Sequence, residues 1–420
     1  MKRTVFTGMM VAIATASAAE FVPFATFMEQ TRTATAVDHM LRATSKVKSP
    51  AAFEEMRRHI LDMYQGVQVS HSFVLGSSYF DCVPTDQQPT ARILGVEAAE
   101  MPPQSLIAAK SASKPSAKRA DAFGNSVGCE EKTIPMQRLS LEELTRFTSL
   151  GEYFDKAPGG ATEPASDPSS GHKYAYMEQN VDNIGGTSTL NTWTPEVNTA
   201  WGEVMSLAQE WYVGGRGAAT QTAEVGWQVQ PDYWQTQDSV LFIYWTANHY
   251  DQKNYPGSKG GGCYNMKCAA FYQVSNETYL GASVASSVYG DAQYELSAEF
   301  YLYKGNWWLA INDTWVGYYP GSIYHGGQLT KNAQMIQFGT ETYATNGYYP
   351  GAGSSDWANK EWTYAAYQRD IAYFSTAGDA ISATLTAQQP SPACYTTDGP
   401  YVSDSGSVFF YAGGPGGSGC

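Results

Sequence analysis

YELSAEFYLYKGNWWLAINDTWVGYY, residues 294–319, is the stretch that decides the fold class. From Tyr294 to Tyr303 large apolar residues alternate with other residues, which is typical of a strand with one buried face. Lys304-Gly305 predicts a turn, and Asn306 to Asn312 and Trp315 to Tyr319 predict two more strands. Short strands joined by tight turns indicate an antiparallel sheet.

The same pattern continues on both sides of this stretch. Ser239 to Thr246 (SVLFIYWT) predicts a strand buried on both faces, and Ala333 to Tyr343 predicts another. The chain has 29 Tyr, 11 Trp and 40 Gly, and only 16% of its 420 residues are charged, a composition that favours sheets and turns. Trp201 to Trp211 is the one stretch here that we expect to be helical. We therefore predict a mostly β protein, with an antiparallel β-sandwich over residues 172–420.

The composition changes near residue 171, because all 11 Trp lie beyond it. Before it, Pro50 to Gln65 has apolar residues at helical spacing, and Ser140 to Glu143 is a capping box that predicts a short helix. We expect residues 19–156 to form a smaller mixed α/β pro-segment without a robust core of its own. Residues 157–171 are rich in Pro, Gly and Ser and predict a linker.

The N-terminus predicts export. Lys2 and Arg3 precede a mostly apolar run from Val5 to Ala14, and Ala16-Ser17-Ala18 has the small residues that a signal peptidase reads. We predict a signal peptide over residues 1–18 and a secreted protein, either extracellular or periplasmic. No stretch of the chain is long and apolar enough to predict a membrane span.

The cysteines fit an oxidising compartment, because their number is even. Six cysteines allow 15 pairings, and proximity in the sequence favours three of these pairs. These pairs are Cys82–Cys129, Cys263–Cys268 and Cys394–Cys420. No histidine lies near Cys263 and Cys268 at the spacing of a zinc finger, so we predict neither a metal nor a cofactor.

Most familiar catalytic signatures are absent from the sequence. There is no His-Glu-x-x-His pair and no phosphate-binding loop. The net charge of −14 argues against nucleic-acid binding, which requires clustered Lys and Arg. The class of function that remains is catalysis by carboxylate side chains on a β scaffold.

A series of short motifs runs through the second half of the chain. The motifs are TAEVGWQV at 222–229 with Pro231, LFIYWT at 241–246, GCYNMKC at 262–268, GNWWL at 305–309, VGYYP at 316–320 and MIQFGTE at 335–341. In order and spacing, this series resembles the neprosin family of glutamic peptidases. A fragment before it, Asp81-Cys82-Val83 with Gln88-Pro89, is similar to a piece of the family's N-terminal region.

The resemblance implies which residues act. The two catalytic carboxylates of the family fall on Glu224 and Glu341, and the implied activity is an acid-active endopeptidase, made as a zymogen, that cuts peptides or proteins after Pro. The sequence departs from the family pattern at Phe338 and Thr340, beside Glu341, and at Trp234-Gln235. The second departure bears on the specificity pocket more than on the reaction.

Strand periodicity adds two candidate residues for transition-state support. Side chains two residues apart share a strand face, so Gln228 shares the face of Glu224 and Gln337 shares that of Glu341. A side-chain amide near developing negative charge can act as an oxyanion donor. Trp227 would point to the opposite face, into the core.

Three further hypotheses come from the charge pattern and the composition. The first half has nearly balanced charge, carries Lys110, Lys114, Lys118 and Arg119, and precedes a strongly acidic second half. We expect it to inhibit the second half at neutral pH and to loosen in acid.

Two rival functions use the same scaffold: a carbohydrate-binding β-sandwich module and a glycoside hydrolase with two carboxylates.

Overall fold

The computed structural model of the chain describes residues 20–107, 119–156, 171–254 and 256–420, with only the backbone of Arg119. The predicted signal peptide, Lys110, Lys114 and Lys118 lie outside the described residues, and so does the predicted linker except for Gly171.

In its described residues, the part before the linker, here called the N-terminal segment, contains six α-helices and a small antiparallel sheet of strand order β1-β2-β5. Its helices are α1 (Phe24–Thr33), α2 (Ala36–Met40), α3 (Pro50–Met63), α4 (Pro89–Leu94), α5 (Leu141–Leu144) and α6 (Leu150–Phe154). Its strands are β1 (His71–Leu75), β2 (Ser78–Pro84), β3 (Arg119–Ala120), β4 (Ser126–Val127) and β5 (Thr133–Gln137).

Both predicted helices of this segment are confirmed. The Ser49 side chain accepts a hydrogen bond from the backbone N–H of Ala52 and caps α3, and Pro50 occupies its first turn. The Ser140 hydroxyl accepts from the backbone N–H of Glu143 and caps α5 in the same way.

The described residues from 171 onward form strands joined by loops and 3-10 turns, with one short α-helix, α7 (Pro231–Trp234). The strands are β6 (His172–Asn183), β7 (Gly185–Asn191), β8 (Glu203–Gly214), β9 (Gln221–Val229), β10 (Val240–Thr246), β11 (Cys263–Tyr264), β12 (Tyr272–Gln273), β13 (Glu295–Tyr303), β14 (Asn306–Ile311), β15 (Thr314–Pro320), β16 (Ala333–Ala344), β17 (Tyr348–Tyr349), β18 (Tyr367–Phe374), β19 (Ala380–Ser382), β20 (Thr386–Gln388), β21 (Thr396–Val402), β22 (Val408–Gly413) and β23 (Gly417–Ser418).

Two antiparallel sheets dominate this region. The first sheet has the strand order β11-β10-β9-β8-β16-β6-β20, and the second has the order β12-β15-β14-β13-β7-β18-β22-β21 with β19 paired to β18. Side chains connect the two sheets: Trp227 of β9 donates its indole N–H to the carbonyl of Asn191 in β7 at 3.0 Å. The predicted mostly β, antiparallel fold class is confirmed.

The expectation of a helix over Trp201 to Trp211 is wrong. A short 3-10 turn at Thr199–Trp201 ends at Gly202, whose φ of 77° is left-handed, and β8 begins at Glu203. This strand pairs with β9 on one side and β16 on the other and is buried along nearly its whole length. Pairing on both edges decides the conformation, because local propensity is weak compared with tertiary context.

The N-terminal segment shares its core with the sandwich. Phe53, Ile60 and Tyr153 of the segment belong to the same hydrophobic cluster as Trp227 and Phe242 of the first sheet. Trp227, predicted to be a core residue, is fully buried. The segment is therefore packed against the sandwich as one body.

Three disulfides join Cys82 to Cys129, Cys263 to Cys268 and Cys394 to Cys420. These are the pairs that proximity in the sequence favours. Disulfides persist mainly in oxidising compartments, so the cross-links are compatible with a location outside the cytosol. In the described ranges, no helix has the length and apolar character required to cross a membrane.

Candidate active site

Glu224 and Glu341 lie on one face of the first sheet. Glu224 belongs to β9 and Glu341 to β16, with β8 between the two strands. On β8, Trp211 is the register partner of Glu224 and Leu207 is the partner of Glu341. Paired residues share a face, and Trp227 of β9 has the opposite parity and points into the sandwich, so both glutamates point away from the second sheet.

One lysine of the N-terminal segment bridges the two glutamates. Lys156 Nζ lies 2.6 Å from Glu224 Oε2 and 2.9 Å from Glu341 Oε2. All three side chains are buried, with at most 7% of each exposed. The carboxylates, which are far apart in the sequence, therefore bind the same ammonium.

Two hydroxyl groups bind the other oxygen of Glu224. The Thr222 hydroxyl donates to Oε1 at 2.6 Å and the Tyr250 phenol donates at 2.8 Å. Burial, followed by the charge of Glu224, raises the pKa of Tyr250 well above its ordinary value. Its phenol thus keeps its proton and remains a donor.

Glu341 has neighbours on two adjacent strands. His172 Nδ1 of β6 lies 2.8 Å from Oε1, and the Tyr174 hydroxyl donates to the same oxygen at 3.3 Å. From β8, the amide nitrogen of Gln209 donates to Oε2 at 3.2 Å. The carboxylate is held on both of its oxygens.

The ammonium decides the protonation of this site at neutral pH. Burial raises the pKa of Glu341, but Lys156 and His172 outweigh burial and lower this pKa to about 2. For Lys156, burial lowers the pKa while the two carboxylates raise it, and the net effect is a raised pKa. Glu341 is therefore a carboxylate and Lys156 an ammonium at neutral pH.

The backbone around Lys156 is anchored to the same face. The Tyr264 hydroxyl donates to the Lys156 carbonyl at 2.9 Å. The Tyr244 hydroxyl and the Gln252 amide both donate to the Phe154 carbonyl at 3.0 Å. The chain after α6 is thus held over the glutamates by carbonyl contacts as well as by the ammonium.

The two glutamines singled out from the sequence have other partners. Gln228 donates to the Tyr264 hydroxyl at 2.9 Å, and its carbonyl accepts from the Trp234 indole at 2.8 Å. Gln337 donates to Glu178 Oε2 at 3.0 Å. Within the described residues, neither glutamine has a hydrogen bond to Glu224 or Glu341.

Gln209 is the amide that contacts a site glutamate, and two glycines flank it. Gly226 of β9 and Gly339 of β16 are its register partners on the two sides. A Cβ at Gly226 would collide with the Ala208 carbonyl and lie 2.8 Å from Gln209 Cβ. Gln209 is fully buried, and its Oε1 has no hydrogen-bond partner in the part of the chain that the structure describes.

Sequence reasoning missed Lys156, His172 and Gln209. Strand periodicity would have put Gln209 and Trp211 on one face, had this stretch been read as a strand. For Lys156 no sequence signal exists, because its partners follow 68 and 185 residues later. Among the described residues, no group of three His, Cys, Asp or Glu side chains could hold a metal ion.

The fold and the site define a two-sheet antiparallel β protein with a buried pair of glutamates bridged by one lysine. The sequence model of the family described as Neprosin matches residues 202–415, about half of the chain, and this range contains both Glu224 and Glu341. The chain belongs to the neprosin family, as its motifs predicted, and is a peptidase.

Two crystal structures of scytalido-glutamic peptidase are similar to this chain. One holds a peptide-based transition state analog, with 11% sequence identity and a TM-score of 0.29. The other holds a transition state analog inhibitor, with 10% identity and a TM-score of 0.28. Each match covers 57% of this chain and 97% of the other.

Proposed function

We propose that this protein is a secreted glutamic endopeptidase in which Glu224 and Glu341 hydrolyse peptide bonds. The observation that carries the proposal is the ammonium shared by both carboxylates, because it shows that one small group reaches both. Lys156 Nζ lies 2.6 Å and 2.9 Å from their Oε2 atoms, and a water molecule makes hydrogen bonds of the same length. A water that replaced the ammonium would contact both glutamates.

The chemistry follows from two carboxylates that lie close together. Without a cation between them they do not both ionise readily, so one keeps a proton while the other stays charged. The charged carboxylate takes a proton from the water, whose oxygen attacks the scissile carbonyl carbon. The protonated one donates to the carbonyl oxygen or to the leaving amine. The pair titrates as a unit with acidic apparent pKa values, hence the expected activity in acid.

The N-terminal segment acts as an inhibitor that resembles a bound peptide. Its chain from Phe154 to Lys156 crosses the glutamates, and the side chains of the sandwich donate to its backbone carbonyls. A peptide or protein substrate presents the same carbonyl groups. While Lys156 is in place, neither the water nor a substrate can enter, so the precursor is inactive.

A second buried contact supports the inhibitory role. Lys267, in the disulfide-bonded loop between Cys263 and Cys268, binds Glu143 of the N-terminal segment at 2.9 Å, and both side chains are at most 6% exposed. Breaking a buried ion pair leaves an uncompensated charge and costs several kcal/mol, roughly 3–5. The segment is thus attached at two buried ionic contacts.

The dyad is tested by digestion of a denatured protein at about pH 3, where such a pair works. We expect peptides from the wild-type protein and none from Glu224→Gln or Glu341→Gln. Glu178→Gln is the matched control, because Glu178 lies on the same sheet and face and binds Gln337 instead of Lys156. Cleavage by either dyad variant at the wild-type rate would overturn the assignment.

Removal of the inhibitor is tested by N-terminal sequencing after incubation of the full chain in acid. We expect a new N-terminus within residues 157–171, the predicted linker. An unchanged chain that is nevertheless active would show that the segment is a permanent part of the enzyme. The same digest reveals specificity, and the resemblance implies cleavage after Pro.

Secretion is tested separately. Expression with the native N-terminus should yield exported protein that begins at residue 19, after the predicted signal peptide. Protein that stays in the cytosol with Met1 in place would contradict this part of the proposal.

A polysaccharide substrate in the digest distinguishes the peptidase from a two-carboxylate glycoside hydrolase.

A further inference from the structure

A second cavity lies on the other side of the sandwich. It has a volume of about 390 Å³ and lies on the outer face of the second sheet, over β18, β22 and the turn that joins β21 to β22. In β18, Gln368 points into the sandwich, where it donates to Ser188 Oγ at 2.8 Å. Its neighbours Tyr367 and Arg369 therefore point outward, away from Glu224 and Glu341.

An exposed indole forms one wall of this cavity. Trp362 is 55% exposed, and its ring stacks on Tyr367 with ring centroids 4.9 Å apart and an interplanar angle of 26°. Tyr367 itself is buried, and its hydroxyl donates to Glu295 Oε1 at 2.8 Å. The indole is thus a flat apolar surface supported from behind by a fixed ring.

Polar groups form the floor of the cavity. The ladder between β18 and β7 is irregular between Arg369 and Ala372, and Asp370 has a left-handed φ of 56°. Bulges and left-handed non-glycine residues occur preferentially where a side chain is aimed at a site. The Ser407 hydroxyl donates to Asp370 Oδ1 at 2.6 Å and holds the carboxylate in place.

The positive charge of the floor is paired within the protein. Arg369 binds Glu295 through two contacts of 2.7 Å, and its other terminal nitrogen binds Asp370. The Arg369 guanidinium is thus already bound to two carboxylates, which disfavours an anionic ligand. Carboxylate oxygens with remaining lone pairs and serine hydroxyls can still bind hydroxyl groups.

We propose that this cavity binds a neutral oligosaccharide. The apolar C–H face of a pyranose ring would pack on Trp362, and its hydroxyl groups would bind Asp370 and the serine hydroxyls of the turn. A volume of 390 Å³ is in the range of small-molecule sites. A peptide is disfavoured, because β18 and β22 are both paired on their two edges and offer no free backbone groups for strand addition.

Binding at this site is independent of the glutamate dyad. If the cavity binds an oligosaccharide, a glycan on a substrate or on a polysaccharide surface would hold the peptidase close to its target. An oligosaccharide on this face would be about a full sandwich thickness away from the glutamates, since two packed sheets are roughly 10 Å apart.

The test is a calorimetric titration of the full chain with soluble hexasaccharides of glucose, mannose, xylose and N-acetylglucosamine. We expect binding of at least one, weakened about tenfold or more by Trp362→Ala. Trp362→Tyr should retain most of the affinity, because it keeps an aromatic face. Trp201→Ala is the matched control: Trp201 is 53% exposed and also packs on a tyrosine, Tyr348, but lies outside the cavity.

Two results would overturn the proposal. One is the absence of binding to all four oligosaccharides by the wild-type protein. The other is binding that Trp362→Ala and Asp370→Asn leave unchanged while both variants remain folded.

A proline-rich peptide, titrated in parallel, should not bind. Peptide binding by the wild-type protein that is lost in Trp362→Ala would overturn the proposal as well and assign the cavity to peptides. Peptidase activity on a soluble unglycosylated protein should be equal in all variants.

Discussion

A lysine ammonium that is buried against a carboxylate favours the charged form of that carboxylate, because opposite charges attract strongly in the protein interior. Glu341 illustrates this: burial alone would raise its pKa, yet Lys156 and His172 bring it down to about 2. In the proposed precursor, this one side chain lies between the two carboxylates and keeps them from competing for a proton. The same geometry makes Lys156 the natural target for a test.

Lys156→Met should destabilise the closed precursor, because the two buried carboxylates lose their counter-ion. We expect a loss of about 3–5 kcal/mol in the free energy of unfolding at neutral pH, measured by urea denaturation of the full chain. Lys46→Met is the control, since Lys46 also links the segment to the sandwich, at 2.7 Å from Asp232, but is 54% exposed. That pair should contribute only about 0–1 kcal/mol. Equal losses in the two variants would contradict the buried-bridge argument.

The three amides on the glutamate face can be ranked by substitution. Gln209→Met keeps the side-chain volume but removes the donor beside Glu341, and we expect kcat of the activated enzyme to fall by about 10²-fold, as for loss of an oxyanion donor. Gln337→Met, whose native partner is Glu178, should change kcat little. Gln228→Met is the third comparison. A large fall in kcat in Gln337→Met or Gln228→Met, with no fall in Gln209→Met, would assign the oxyanion-donor role to the residues that strand periodicity predicted.

At the scale of elements, β8 determines the spacing of the two glutamates. It lies between β9 and β16. Its register with each of these strands sets which residues of β9 lie level with which residues of β16. The stretch was expected to contain a helix, and it is a strand because both of its edges are paired. The glycines that flank Gln209 let the three strands approach closely at this row.

Gly226→Ala should disturb this row. The added methyl group would collide with the Ala208 carbonyl and crowd Gln209, so we expect a loss of roughly 1–3 kcal/mol in unfolding free energy, the usual cost of overpacking. Gly151→Ala in α6 is the control, because its nearest neighbour would be Ser149 Oγ at an ordinary 3.7 Å. Thermal and urea unfolding measure both. A Gly226 variant as stable as the control would show that β8 and β9 can separate freely.

At the scale of the whole molecule, the N-terminal segment and the sandwich share one core, and titratable groups lie at their contact. With the segment in place the pKa of Glu341 is lowered from its ordinary 4.5 to about 2, so this group stabilises the folded full chain above pH 4.5, and its contribution is lost as the pH falls from 4.5 towards 2. Burial lowers the pKa of His59 from 6.5, so its contribution to closure is lost as the pH falls below 6.5.

Asp155, next to Lys156, has the opposite sign. Burial, and then the nearby Glu152 and Asp251, raise its pKa from 3.8 to about 7. A raised carboxyl pKa favours closure at low pH, and this contribution is lost as the pH rises from 3.8 through 7. As the pH falls from 6.5 to 4.5, the stability gained from Asp155 therefore offsets the stability lost through His59.

We predict that activation of the full chain begins below about pH 4.5, where protonation of Glu341 adds to that of His59. Activity after incubation across the pH range measures this. Asp155→Asn should slow activation between pH 5 and 7, because the closed form no longer has to take up a proton at this position, and should change little below pH 3.8. Activation of the wild-type chain at pH 6 at its full rate would contradict the assignment to Glu341.

The local patterns of the sequence were sufficient for much of the fold. Alternation and turn residues placed β13, β14 and β15 to within a residue or two, and the motif series predicted the family and Glu224 and Glu341 as its carboxylates. The three disulfide pairs are the ones that proximity in the sequence favoured, with separations of 47, 5 and 26 residues. The strands depend on contacts between neighbours in the sequence, for which periodicity is direct evidence.

Contacts between distant parts of the chain were decided by the tertiary structure alone. The strand β8 was mistaken for a helix because its partners, β9 and β16, provide the hydrogen bonds and the burial, and one of them lies over a hundred residues away. Lys156 meets Glu224 and Glu341 because α6 packs on the shared core, and no local pattern encodes that docking. The sequence by itself determined the fold class and the family; the packing of the chain decided which charge faces Glu224 and Glu341.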